Sequence, residues 1–155
     1  MRKVFILLAL IALTKCTVNE TPTLGDDDFY KIQDCPNFSN AQYVANLDLK
    51  FDELPRSGHL THVSLIGNIA NNFYIAYIRM TARFNGIKLV DQKLKFNEQF
   101  VKGDPYSKKL LMPSAIMPAG VISGEGRAFN ELGEMVQCYT YSIQVLPHST
   151  ENDSQ

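Results

Sequence analysis

The polar and apolar positions of this chain alternate with a period of two over most of its length. From Tyr43 to Phe51, the odd positions Tyr43, Ala45, Leu47, Leu49 and Phe51 face one way, and Val44, Asn46, Asp48 and Lys50 the other. That pattern predicts a strand with one buried face. Phe29 to Cys35 reads as a shorter strand that stops at Pro36, with a Pro/Asn/Ser-rich turn to Asn40. Leu60 to Ile69 predicts a further strand with Val63 and Leu65 on one face. Phe73 to Phe84 predicts another, apolar or amphipathic at its even positions, whose odd positions begin apolar and end in Arg79, Thr81 and Arg83. Asn85-Gly86 is a strong hairpin signal, and Ile87 to Leu94 is the return strand. Asn97 to Ser107 reads as loop, and Lys108 to Pro118 as an apolar loop broken by Pro113 and Pro118. Gly120 to Phe129, a turn over Asn130 to Gly133, and Glu134 to Leu146 complete the pattern; Met135, Tyr139, Tyr141, Ile143 and Val145 share a face of the last strand.

No segment sustains a 3.6-residue stripe. Roughly seven strands separated by turns, without helices between them, predict an antiparallel sandwich or barrel. There is no internal repeat and no low-complexity tract.

The N-terminus changes the picture. Arg2 and Lys3 precede the apolar run Val4 to Leu13, and small residues flank Lys15 at Thr14 and Cys16. This is the pattern of a secretory signal peptide, with cleavage expected after Cys16. The run is shorter than the roughly 20 residues that a membrane-spanning helix needs. A bacterial lipoprotein signal would also place a Cys here, but Lys15 stands where that signal has a small residue. The expected organisation is therefore signal peptide 1–16, disordered leader 17–28, one folded domain 29–147 and a polar tail 148–155. The expected location is extracellular, or the lumen of a lysosome or vacuole.

An oxidising compartment gives meaning to the cysteines. Cys35 and Cys138 are the two left after cleavage, and in that setting they favour a disulfide. Closing a loop of about 100 residues is worth roughly 4–5 kcal/mol in the chain-entropy model. Two free buried thiols are the alternative. Asn-x-Ser/Thr sequons at Asn19, Asn37 and Asn152 also fit secretion.

Charge is nearly balanced, at −1. Lys and Arg are scattered, so neither a polyanion nor a nucleic acid is an expected partner. The triple Asp26-Asp27-Asp28 lacks the spacing of an EF-hand loop. His59 and His62 fall on opposite faces of a strand with no third ligand nearby, so no metal site is expected. No serine-nucleophile elbow or P-loop is present. Gly124-Glu125-Gly126 lacks the third glycine and the strand-then-helix setting of a dinucleotide turn. Neither an enzymatic site nor a cofactor is expected. What remains is apolar excess in a loop-like place: Leu110, Leu111, Met112, Ala115, Ile116 and Met117. Such residues must be buried or face a partner or a membrane. Here they either cap the core or form the mouth of an apolar cavity.

Several motifs resemble the ML (myeloid-differentiation-factor-related lipid-recognition) domains, nearest the ganglioside-activator and phosphatidylglycerol/phosphatidylinositol transfer branch. Phe29 precedes Asp34-Cys35; Tyr43 to Leu49 matches x-V-x-x-L-x-L; Pro55-Arg56-Ser57-Gly58 matches P-x-x-G; and Val63 to Gly67 matches V-x-x-x-G. Pro113, Pro118-Ala119-Gly120 and Cys138 match the late proline, the P-x-G step and the last-strand cysteine. The match spans about Phe29 to Leu146, without the family's additional disulfides.

The resemblance implies an all-β, two-sheet antiparallel immunoglobulin-like sandwich with an apolar cavity between its sheets, and a bridge between the first and last cysteines. It implies a lipid-binding or lipid-transfer protein for a glycolipid, phospholipid or sterol, with transient membrane contact and a lipid hydrolase or receptor as a further partner. A monomer is expected. Strand alternation then nominates Leu47, Leu49, Val63, Leu65, Ile78, Met80 and Phe84 as lipid-lining, with Ile116, Met117 and Ile122 nearer the mouth. Acyl chains are expected to enter past the Lys108–Pro118 loop. Arg79, Arg83, Lys108 and Lys109 are either headgroup contacts or solvated surface charge. The competing reading is a secreted sandwich with a filled core that binds another protein.

Overall fold

A computed structural model of the chain describes residues 29–148, apart from Pro113. The expected signal peptide, the leader, Asn19, Asn152 and nearly all of the polar tail lie outside these residues. Eight strands form: β1 (Tyr30–Asp34), β2 (Val44–Phe51), β3 (Thr61–Ile69), β4 (Phe73–Phe84), β5 (Ile87–Phe100), β6 (Pro105–Met112), β7 (Gly120–Phe129) and β8 (Met135–Val145). Two 3-10 turns, Asn40–Gln42 and Ser114–Ile116, are the only helical pieces among the described residues. The strands make two antiparallel sheets, β1-β8-β7-β4-β5 and β2-β3-β6, stacked as a sandwich.

Two irregularities decide which side chains enter the space between the sheets. In β2 the ladder to β3 shifts between Ala45 and Asp48, where Asn46 takes a left-handed φ of 54°. The inward position therefore changes from Val44 to Leu49, and Val44, read from alternation as outward, is 1% exposed. Gly67 makes room for this kink, because a Cβ there would sit 2.5 Å from Val44 Cγ1. In β4 the ladder to β5 shifts between Ile75 and Tyr77, near Asn97 with φ 53°. Phe73 and Ile75 point inward before the shift, and Ile78, Met80 and Ala82 after it. This is why the odd positions of that segment begin apolar and end charged. The register places the extra residue of the first shift on β2 and that of the second on β5, opposite the point where β4 changes its inward face.

The loops expected at Asn97–Ser107 and Lys108–Pro118 are corrected in part. β5 continues through Asn97 to Phe100, and β6 occupies Pro105–Met112. Pro105 is the first residue of a sheet edge, a position that needs no ladder N–H. Tyr106, Lys108, Leu110 and Met112 alternate along β6, but Lys108 among the inward positions hides the period. Leu111 on the other face hides it further.

The disulfide forms. Cys35 and Cys138 are joined at a Cα–Cα distance of 5.4 Å and a sequence separation of 103. Beside it Asn40, 1% exposed, reads the backbone of Cys138 in both directions. Its Nδ2 donates to Cys138 O at 2.7 Å, and its Oδ1 accepts from Cys138 N–H at 3.0 Å. Asp34 accepts from both the side chain and the backbone N–H of Asn40. The β1 and β2 edges are closed by Phe29, Tyr30 and Phe51, with ring centroids 4.9–5.2 Å apart, and by Tyr30 Oη donating to Asp48 at 3.1 Å. At one end of the sandwich Val44, Ile69, Phe73, Ile75, Phe100 and Tyr106 pack into a filled core.

Candidate functional site: a cavity between the sheets

Beyond that filled end the sheets do not meet. An apolar cavity of about 190 Å³ lies between them, lined from the three-stranded sheet by Leu49, Val63, Leu65, Leu110 and Met112. The five-stranded sheet supplies Ile78, Met80, Ala82, Leu94, Ile122, Tyr139, Tyr141 and Ile143, among others. A wider cleft of about 910 Å³ adjoins it and shares Leu65, Ile78, Met80, Phe96, Leu110 and Tyr139. Small-molecule sites typically measure about 300–1,000 Å³.

The reason for the gap can be traced to two glycines. Paired residues across an antiparallel ladder share a face, and Gly126 pairs with Tyr139, Gly124 with Tyr141. Both rings lie over the bare backbone of these glycines. A Cβ at Gly126 would be 2.5 Å from Tyr139 Cζ, and one at Gly124 would be 2.6 Å from Tyr141 Oη. Tyr141 Oη donates to Thr81 O at 3.3 Å, which pins that ring along the sheet. Two large aromatics thus lie along one wall and leave the middle open. Sheets about 10 Å apart otherwise fill their gap with side chains. The Gly124-x-Gly126 spacing, uninformative as a nucleotide motif, serves here as aromatic seating. Burial drives the hydroxyl of Tyr141 up to about pKa 12 and those of Tyr106 and Tyr139 higher still, so all three are neutral donors at physiological pH.

The cleft opens along the free edges of β5 and β6, which no ladder joins among the described residues. Phe96, Asn97 and Glu98 border it on one side, and Tyr106, Ser107 and Lys108 on the other. The Lys108 ammonium crosses the opening to pair with Glu98 and lies 5.1 and 4.9 Å from the Phe96 and Phe100 ring centroids. Of the other cations considered for headgroup contact, Arg79 binds Asp91 at 3.2 Å and Lys109 binds Asp52 at 3.0 Å. Arg83 reaches Gly86 O at 3.4 Å. Of the four, Lys108 and Lys109 border the wider cleft, and Lys108 is the one paired across its opening.

Seven of the ten nominated lining residues border the cavity: Leu49, Val63, Leu65, Ile78, Met80, Met117 and Ile122. Leu47 and Phe84 are partly buried and pack against the core without reaching it. Ile116 is 61% exposed, whereas its neighbour Met117 is 3% exposed and turned inward. Residues 114–117 are held down by Ser57 Oγ donating to Met117 O at 2.7 Å, Gly58 N–H donating to Ser114 O at 3.1 Å, and Ser114 Oγ donating to His59 O. Met117 therefore closes one end of the cavity, while the opening runs along the β5 and β6 edges.

Strand alternation did not nominate Phe96, Tyr139, Tyr141 or Gln137 as wall residues, whereas Leu110 and Met112 lie in the apolar segment expected at the cavity mouth. Tyr139 and Tyr141 were legible as one face of the last strand. Gln137 carried no signal, since a polar residue in a strand is ordinarily outward. Asn37 of the central sequon is exposed in the turn after Cys35. His59 stacks on His148 at 5.2 Å, and His62 lies 3.6 Å from Asp52. The cluster Cys35, Glu125 and Cys138 has metal-ligating atom types, but both its sulfurs are consumed by the disulfide.

No family model and no curated protein matches the chain. Among solved structures it is similar to the C-terminal domain of wzt, with 13% identity, 83% of each chain covered and a TM-score of 0.52. It is also similar to a Niemann-Pick type C2 protein from Japanese carpenter ant (13% identity, 74% of this chain and 98% of that one, TM-score 0.43). A third is chicken MD-1 complexed with lipid IVa (12% identity, 78% and 94% covered, TM-score 0.44). At such identities the likeness concerns the two-sheet sandwich fold alone.

Proposed function

We propose that this protein is an exported, non-catalytic lipid-binding and lipid-transfer protein of the ML type, nearest the ganglioside-activator and phospholipid-transfer branch. The observation that carries the reading is an open apolar space between two sheets, in a domain whose other end is tightly filled. An acyl chain or sterol body enters between the edges of β5 and β6, past Phe96 and the Lys108–Glu98 pair. Its apolar part lies against Leu65, Ile78, Met80 and Leu110. Each methylene withdrawn from water contributes about 0.8 kcal/mol, so about ten buried methylenes match the roughly 8 kcal/mol of micromolar binding. The residue motifs around Cys35, Pro55–Gly58 and Cys138 support the same reading, and the Val4–Leu13 run supports export. A lipid donor membrane, and a hydrolase or receptor to which lipid is presented, are the partners this implies.

The test is mass spectrometry of organic extracts from the purified mature protein, paired with transfer of fluorescent lipid between vesicles. Co-purified lipid and protein-dependent transfer are expected. Absence of both would refute the proposal in favour of a protein-interaction module.

A further inference from the structure

Polar and charged side chains such as Asn97, Glu98, Ser107 and Lys108 border the wider cleft, and among its buried residues one hydrogen bond joins the two sheets. Tyr106 Oη, from β6, donates to Gln137 Oε1, from β8, at 3.1 Å. Gln137 is 2% exposed and stands in a row of inward side chains with Ala128, Ile78 and Leu94. Both Tyr106 and Gln137 border the wider cleft. The Gln137 Nε2 amide has no hydrogen-bond partner, and it is the one buried side-chain polar atom without a partner among the described residues.

An orphaned buried amide costs about 1–3 kcal/mol, and a Leu or Met at the same place would avoid that cost. The amide has two N–H donors, so what it lacks is an acceptor. A charged acceptor is disfavoured here: burying an anion is costly, and the cations that border the cleft, Lys108, Lys109 and Arg127, are already paired with Glu98, Asp52 and Glu125.

Resting on the lipid-binding reading above, we infer that Gln137, held in place by Tyr106, is the polar recognition point of the cleft and takes an uncharged oxygen acceptor of a bound amphiphile. An ester carbonyl and a hydroxyl share that chemistry. The apolar part of the same molecule continues from there into the smaller cavity past Met80 and Tyr139. The cleft thus selects amphiphiles with an oxygen set just outside a hydrocarbon segment over plain hydrocarbons.

The experiment compares dodecane, 1-dodecanol and methyl laurate as displacers of a bound fluorophore, in the wild type and in Gln137→Leu. The substitution is expected to weaken the alcohol, the ester or both by about tenfold, the worth of one hydrogen bond, and to leave dodecane unchanged or tighter. The ligand that loses affinity identifies hydroxyl or carbonyl as the source. An equal response of all three ligands, or none, overturns the inference while leaving lipid binding intact. Failure of the wild type to bind any of the three overturns both. Should Gln137→Leu not fold, nitrogen-edited NMR of the wild type decides. The Gln137 side-chain amide protons must shift on saturation with alcohol or ester but not with dodecane. A signal that never moves means a resident water holds the amide, and the inference falls.

Discussion

Adding one methyl group at Gly126 should close the cavity without breaking the fold. An alanine Cβ there would lie 2.5 Å from Tyr139 Cζ and 2.6 Å from its Oη. Carbon atoms in favourable contact sit about 3.5–4.0 Å apart, so the ring must move by about 1 Å or more. The sheet is behind it, and the open direction is the cavity. The ring is the far end of a side chain and can swing. Overpacking of this kind typically costs about 1–3 kcal/mol, partly offset by the roughly 0.5–1 kcal/mol that Ala gains over Gly in a strand interior.

If the displaced ring excludes about three methylenes of bound lipid, affinity should fall by about 2.4 kcal/mol, or some 60-fold. Gly124→Ala is the control with the opposite outcome. There the new Cβ would lie 2.1 Å from the backbone oxygen of Thr81, which cannot move without disturbing the β4–β7 ladder. It should destabilise the fold. Thermal unfolding and fluorescent-lipid titration of both variants read the two effects separately. Wild-type lipid affinity in Gly126→Ala, or a fully stable Gly124→Ala, would refute the account of how the gap is held open.

Further expectations concern the latch and the tyrosines. Replacing Cys35 and Cys138 together by Ser should cost roughly 4–5 kcal/mol in the loop-entropy picture, seen as a lowered denaturation midpoint that reductant no longer changes. Asn40→Ala removes the side-chain acceptor of the Cys138 N–H and leaves the Cys138 C=O with the Cys35 N–H, and should cost about 1–3 kcal/mol with the disulfide intact, measured in urea. Tyr106, Tyr139 and Tyr141 keep their protons in the folded state well above the ordinary value of 10.0. The unfolded chain releases those protons first, so this contribution to stability is complete below pH 10 and is lost as pH rises towards 12 and beyond. A urea midpoint that stayed flat from pH 9 to pH 11.5 would contradict it, as would tyrosinate absorbance appearing for these residues before unfolding.

The period-two pattern was enough to find β2, β3, β4, β7 and β8, because one buried face imposes alternation on each. The pairing of Cys35 with Cys138 followed from their number and from the oxidising compartment expected of an exported chain. Val63, Leu65, Ile78 and Met80 were legible as inward residues for the same reason as the strands. Other features depend on contacts between residues far apart in the chain, and alternation is blind to those. The single-residue insertion at Asn46 reverses the faces of β2, so Val44 is buried against the reading of its segment, and the register shift at Asn97 accompanies the change of inward face in β4. Edge strand β6 carries Lys108 inward because the gap between the sheets is open to solvent there, which no local pattern announces. Gly124 and Gly126 acquire their purpose only when Tyr139 and Tyr141 are laid beside them by the β7–β8 register. Gln137 is inward because β8 puts every second residue there, whatever its polarity, and Tyr106 meets it from the other sheet. The chain's local chemistry set the strands; the stacking of two sheets, closed on one side and unjoined on the other, made the cavity.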